Sequence, residues 1–407
     1  MLDTVMGFLL KYLNLKFFLN PGQIVRGLLL FLLLIVLSYD IQQRITKINI
    51  YYILLICFFI IFLFILFIRF QSFPLMFEEL SYISKILFIL ILIYYVSKHY
   101  KYFNYYFENI IQINFFVFSF GLILGYFTQF GLQTYHYIEA TSKGMFYGGN
   151  PVSILGLVFF IYYLFNFRFK IKNILFVCIA LFNIHISSTK VVFVVPLIFL
   201  LYLYEKFTKA KIQRKLVMVF ALFPIIFGGY LLVKPKVIDL YERRYSISIK
   251  RGYRAYLREE RVFETTITAP LEMIGNRRIM TAKVQTARIF HNPEFLLLGF
   301  GRTGQFQYAQ KLGGSYSIFN DASMDFIDIF YQYGILGSLL IFIVIFKVIF
   351  YIIKNKQRDR NSIIILIIFL YSFFAGHVIN ATTSGTIFAL FVGIKLGEIV
   401  KYRVDKR

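Results

Sequence analysis

Three observations predict an all-α polytopic membrane protein. Apolar runs near 20 residues recur along the 407-residue chain, hydrophobic residues make up 59% of it against 16% charged, and mean hydropathy is +0.70. Each such run is about the length a helix needs to cross a bilayer, roughly 20 residues, and soluble chains do not repeat them. The expected architecture is about eleven to twelve transmembrane helices with one long extracytoplasmic loop.

The formal net charge of +24 would suggest nucleic acid in a soluble protein. Here Lys and Arg cluster in short loops between apolar runs, which points to membrane topology and contact with anionic lipid, and away from nucleic acid. Cys57 and Cys178 both lie inside apolar runs, so neither a disulfide nor a metal site is expected. The N-terminus carries Asp3, Lys11 and Lys16 without a cleavage-like motif, so no cleavable signal is expected.

Taken in order, residues 1–20 form either an interfacial helix or a short first span, closed by Pro21-Gly22. Spans follow at Ile24–Tyr39, Ile48–Ile68, Leu80–Val96, Ile110–Phe130, Val152–Phe167, Ile174–Ile186, Val191–Tyr204 and Leu216–Val233. After a long polar insertion come Phe326–Tyr351, Ser362–Ile379 and Thr386–Val400. The chain therefore divides into an N-terminal bundle (1–233), an extracytoplasmic catalytic loop (234–320) and C-terminal helices (321–407).

Basic residues fall in every second connection: Arg44/Lys47, Lys98/Lys101, Arg168–Lys172, Lys206–Lys215, Lys354–Arg360 and the tail from Lys401. These are assigned to the cytoplasm. The intervening connections face outward: Glu78/Glu79, Gln133–Asn150, Ser187–Lys190, Lys234–Asn320 and Asn380–Gly385. An inside C-terminus then requires residues 1–20 to cross for an even span count.

The insertion is rich in arginine, including Arg278, Arg288 and Arg302. A guanidinium presents a planar fork of donors that matches phosphate oxygens, so the cluster suits a diphosphate; ordinary ion pairs with Glu242, Glu259, Glu260 and Glu264 are the plainer use. Gly299-Phe300-Gly301-Arg302 either lets backbone amides approach an anion or makes a tight turn. Asp321, Asp325 and Asp328 share one helical face that Gln332 extends. Asp321 reads as a helix cap. Asp325 and Asp328 stand inside an apolar span, where charge must face a cavity, partner or substrate; they read as base, sugar-hydroxyl acceptor or partner to an arginine. His377 near the outer surface is a candidate general base or a packing hydrogen bonder, and Lys190 in the tight outward hinge reaches phosphate or snorkels.

These residues resemble the O-antigen polymerase and ligase superfamily, with related capsular and exopolysaccharide polymerases. Lys143–Pro151 resembles the segment in which Asn follows a Gly-aromatic run before a middle span. Ser187-Ser188-Thr189-Lys190 resembles an outward Ser-Arg hinge with lysine substituted. Arg278 stands ahead of Leu297-Leu298-Gly299-Phe300-Gly301 at about the family's distance, and Tyr333–Gly337 resembles its Gly-x-x-Gly helix. The resemblance covers roughly the last two-thirds of the chain. Where many members carry His-Asn before that helix, this chain has Asn320-Asp321 and Met324-Asp325, similar to the acidic branch whose histidine comes from a later span, here Ala375-Gly376-His377.

The resemblance implies a GT-C-type glycosyltransferase of the bacterial cytoplasmic (inner) membrane. Its substrates would be undecaprenyl-diphosphate-linked oligosaccharides, and its partners membrane lipid, a chain-length regulator and a flippase. Asp325, Asp328 and His377 become the catalytic candidates; Arg278, Arg288, Arg302, Lys190, Gly299 and Gly301 become the substrate-binding ones. No cofactor or metal is expected. The alternatives are an O-antigen ligase, with the same donor chemistry, and a flippase or transporter of lipid-linked oligosaccharide. Spans before Lys234 nearly free of acids argue against the latter.

Overall fold

The computed structural model describes residues 21–43, 47–128, 142–144, 146, 149–166, 171–187, 191, 194–209, 282, 285–286, 289–290, 292–304, 324–355, 357, 359–375, 377–379 and 381–404. Among these it is an all-α polytopic membrane protein, with no strand. In chain order the helices are α1 (Pro21–Gln43), α2 (Lys47–Phe70), α3 (Phe73–Lys98), α4 (Tyr100–Phe127), α5 (Gly149–Phe165) and α6 (Ile171–Ser187). They continue with α7 (Val194–Lys209), the short α8 (Glu294–Leu298), α9 (Asp325–Lys354), α10 (Arg360–Ala375) and α11 (Thr382–Val404).

Six of these, α1 to α4, α9 and α11, are long and apolar enough to cross a membrane, while the apolar parts of α5, α6 and α10 are shorter. Leu28, Phe31, Ile60, Phe64, Phe120, Ile343 and Phe350 turn outward and are exposed. Contiguous apolar surface on this scale suits lipid and would be a liability in water. The expected segments at residues 1–20 and Leu216–Val233 lie outside the described residues.

The centre of the bundle is α11, whose apolar window is 78% buried against 11% for peripheral α1. It packs along α3 through glycines. A Cβ on Gly393 would meet the Val96 side chain at 2.7 Å, and one on Gly397 would meet the Tyr100 Cβ at 2.3 Å. The Gly393-x-x-x-Gly397 spacing opens a groove for close helix approach, where van der Waals contact drives association in lipid. Gly385 and Gly393 meet Ile89 and Val96 of α3, and Gly397 meets Tyr100 just beyond it at the start of α4, so α3 and α11 run parallel. By contrast α2 and α9 run antiparallel: Tyr51 donates to the Leu340 carbonyl at 2.5 Å, while Phe62 packs edge-on against Tyr333. Both directions are those required by the alternation of basic connections.

Polar contacts sort to the two ends. At the basic end Asp40 accepts from Lys98 and from Tyr94, the latter at 3.0 Å, and the Arg360 guanidinium lies 3.8 Å above the Tyr162 ring. Lys395, almost fully buried, bridges Asp359 and Glu398, each at 2.9 Å. The aspartate also caps α10 by accepting from the Ser362 N–H at 3.1 Å. The other end carries the candidate site. One core of buried side chains runs through helices from both the N-terminal and C-terminal groups.

Candidate functional site

The site is organised by a break in α9. Gly334 sits at φ 64, ψ −167, inside the run that resembles a Gly-x-x-Gly helix in the sequence. The expected helix is present over Asp325–Lys354 and is broken at this one residue, whose backbone region is essentially closed to side chains; only glycine enters it without strain. The carbonyls of Tyr331 and Gln332 accept instead from the Phe300 N–H at 3.1 Å and the Gly301 N–H at 2.8 Å. The approach is backbone to backbone, since a Cβ on Gly299 would lie 2.3 Å from the Gln332 carbonyl oxygen and one on Gly334 would lie 2.4 Å from that of Leu297. Phe295 stacks on Phe300 at 3.6 Å, Phe300 leans on Tyr331 at 4.9 Å, and Arg69 from α2 covers Phe295 at 3.8 Å.

The next turn of this loop is held by a carboxylate. Glu79, in the second turn of α3, has no exposed surface, and its Oε2 accepts from both the Thr303 N–H at 2.8 Å and the Thr303 Oγ1 at 2.9 Å. Gly301 at φ 73 gives it room, since a Cβ there would stand 3.2 Å from Oε2. The Arg302 guanidinium lies 4.3 Å above the ring of Tyr82, one turn along α3 from Glu79. The Phe300 and Gly301 amides are taken by the carbonyls of α9, and the Thr303 amide by the Glu79 carboxyl. Gly299 and Gly301 act by letting the loop close on α9.

The acid face of α9 turns inward, with Asp325, Asp328 and Gln332 all buried. Asp325 Oδ2 accepts from the Val378 N–H and the Ile379 N–H, each at 2.8 Å, and so grips the turn between α10 and α11. Asp328 Oδ2 accepts from the Met324 N–H at 3.0 Å, which caps the start of α9. Ser384 Oγ donates to the Val378 carbonyl at 2.6 Å and steadies the same turn. Next to Val378 is His377, half-buried at φ 56 in the left-handed region. Phe326 stacks on Phe373 at 3.8 Å and clamps α9 to α10 beneath it. Two of the three catalytic candidates, Asp325 and His377, thus meet at one turn although they are far apart in sequence, with Asp328 one helical turn further along α9.

A second polar seam joins α4, α5 and α6. Asn183 donates to Ser119 at 2.8 Å, Ser153 to Ser187 at 3.2 Å, and the Ile186 carbonyl accepts from the Ser142 N–H at 3.1 Å. Beside it, half-burial pulls the Lys143 ammonium below the usual lysine range. Arg278, Arg288, Lys190 and Asp321 lie outside the described residues. Among the described residues no three of His, Cys, Asp and Glu gather as a metal site would require. Sequence reasoning missed Glu79, which it left in a connection. The local signal was Pro74, which occupies the first turn of α3 and places the helix start ahead of the glutamate.

No protein-family model matches this sequence, and a search of curated proteins returns no match.

Proposed function

We propose that this chain is a polysaccharide polymerase of the bacterial cytoplasmic membrane. It transfers a growing glycan from undecaprenyl diphosphate to a lipid-linked repeat unit at the outer face. The observation that carries the reading is the meeting of Asp325 with the His377 turn, at the same end of the bundle as Glu79 and Arg302. His377 is the general base for the acceptor hydroxyl, and Asp325 is the residue that positions its turn. Arg278, Arg288, Arg302 and Lys190 stabilise the charge that develops on the departing diphosphate as the glycosidic bond breaks. The family resemblance of the outward hinge, the Gly-Phe-Gly loop and the Gly-x-x-Gly segment supports the same reading.

A deletion strain tests it by glycan length. Single repeats left on the lipid or its acceptor are the expected result. Long unattached polymer would make the protein a ligase, and loss of outward-facing repeats would make it a flippase. In the polymerase case, Arg278→Ala and His377→Ala each abolish polymer at normal protein level.

A further inference from the structure

We infer that Glu79 is a positioning residue that fixes the Arg302 guanidinium at the outer end of the bundle for the donor diphosphate. The inference rests on the transferase reading for the ligand, and on the geometry alone for the positioning.

A fully buried carboxyl group loses its hydration, and hydrogen bonds from the protein must offset that loss. Glu79 offsets part of that cost at Oε2, which accepts from both the N–H and the hydroxyl of Thr303. Its target is the helical turn that opens at residues 302–304, directly after the irregular Gly299–Gly301 stretch. Gly299 and Gly301 have positive φ, and the loop's two other anchors are the Tyr331 and Gln332 carbonyls left open at the Gly334 break. Glu79 and Tyr82 are three residues apart and share a face of α3. That one face holds the Arg302–Thr303 peptide through Glu79, which accepts from the Thr303 N–H, and the guanidinium through the Tyr82 ring. An arginine held at both ends loses less freedom when it binds an anion than one free to rotate, so the binding step is strengthened more than the chemical one.

The chain contains no tryptophan, so Tyr82→Trp provides a single fluorophore beneath Arg302. In detergent-purified protein that elutes as a single folded species, Arg302→Ala sets the emission of the ring without its cation. Adding Glu79→Gln to Tyr82→Trp should move emission to that position, and Thr303→Val should move it part of the way. An unchanged emission in both folded variants overturns the positioning role. In the otherwise native chain, Glu79→Gln should raise KM for the lipid-diphosphate donor roughly tenfold, with a smaller change in kcat, and Glu79→Asp should recover part of it. Arg302→Ala combined with Glu79→Gln should be no worse than Arg302→Ala alone. A shifted emission with an unchanged KM overturns the link to donor binding. Absence of transfer by the native protein overturns the transferase reading, and the emission result still decides the positioning.

Discussion

Gly334→Ala probes the break that organises the outer end. At φ 64, ψ −167 a side chain is strained by about 1–3 kcal/mol. The new Cβ would also lie 2.4 Å from the Leu297 carbonyl carbon and oxygen, backbone atoms that move only if the whole loop moves, adding about 1–3 kcal/mol of overpacking. The expected loss is therefore about 2–6 kcal/mol. It is read as a shift in the SDS-induced unfolding midpoint of detergent-solubilised protein. Gly27→Ala is the control: nothing lies within 4 Å of that position, so helix propensity should make it neutral or stabilising by about 0.5–1 kcal/mol. Gly299→Ala meets the same backbone pairing from the other side, so its cost should add to that of Gly334→Ala by less than the sum. A Gly334→Ala variant as stable as the native protein would mean that α9 runs straight and that the loop does not pair with it.

Asp325→Ala leaves the buried amides of Val378 and Ile379 without acceptors, at about 1–3 kcal/mol each, whereas Asp325→Asn keeps one oxygen for them; equal stability of the two variants would refute the grip on the turn. At the opposite end, burial raises the Asp359 carboxyl, but the Ser362 hydroxyl and Lys395 outweigh it and hold the group below the ordinary aspartate value of 3.8. A depressed folded-state value means that this contribution to stability is complete above pH 3.8 and is lost as pH falls through the lower folded value. Thermal melts of native and Asp359→Asn protein should therefore differ at neutral pH and converge at the acid end; a gap that widens on acidification would refute the assignment.

What was legible in the sequence followed from local patterns, and what was hidden depended on distant partners. The alternation of basic loops predicts that α3 and α11 run in the same direction, and the successive contacts of Gly385, Gly393 and Gly397 with Ile89, Val96 and Tyr100 agree. The i, i+3 spacing placed Asp325 and Asp328 on one buried face of α9; Asp328 accepts locally from the Met324 N–H, but the partners of Asp325 carry no local signal. For Asp325 these are amides more than 50 residues away, as unremarkable in sequence as any other backbone. The Gly334 break was hidden for the same reason, since glycine inside an apolar helix is ordinary in membranes and only the Leu297–Gly301 loop makes it a break. Glu79 was misplaced because the apolar run begins at Leu80 while the helix begins at Phe73.

The conformation of His377 separates its structural cost from its chemical use. In the left-handed region at φ 56, an alanine pays about 1 kcal/mol that a glycine does not. His377→Gly should therefore be the more stable of the two variants by about 1 kcal/mol, although glycine ordinarily costs unfolded-state entropy. Asparagine tolerates this region and should fall between them. None of the three carries an imidazole, so all three should lack polymer, and their order of stability should bear no relation to their activity. If the alanine variant were as stable as the glycine variant, the turn would not hold residue 377 in this conformation. If any of them retained full-length polymer, the base would have to be sought on α9, where Asp328 lies one turn beyond the carboxylate that grips the turn.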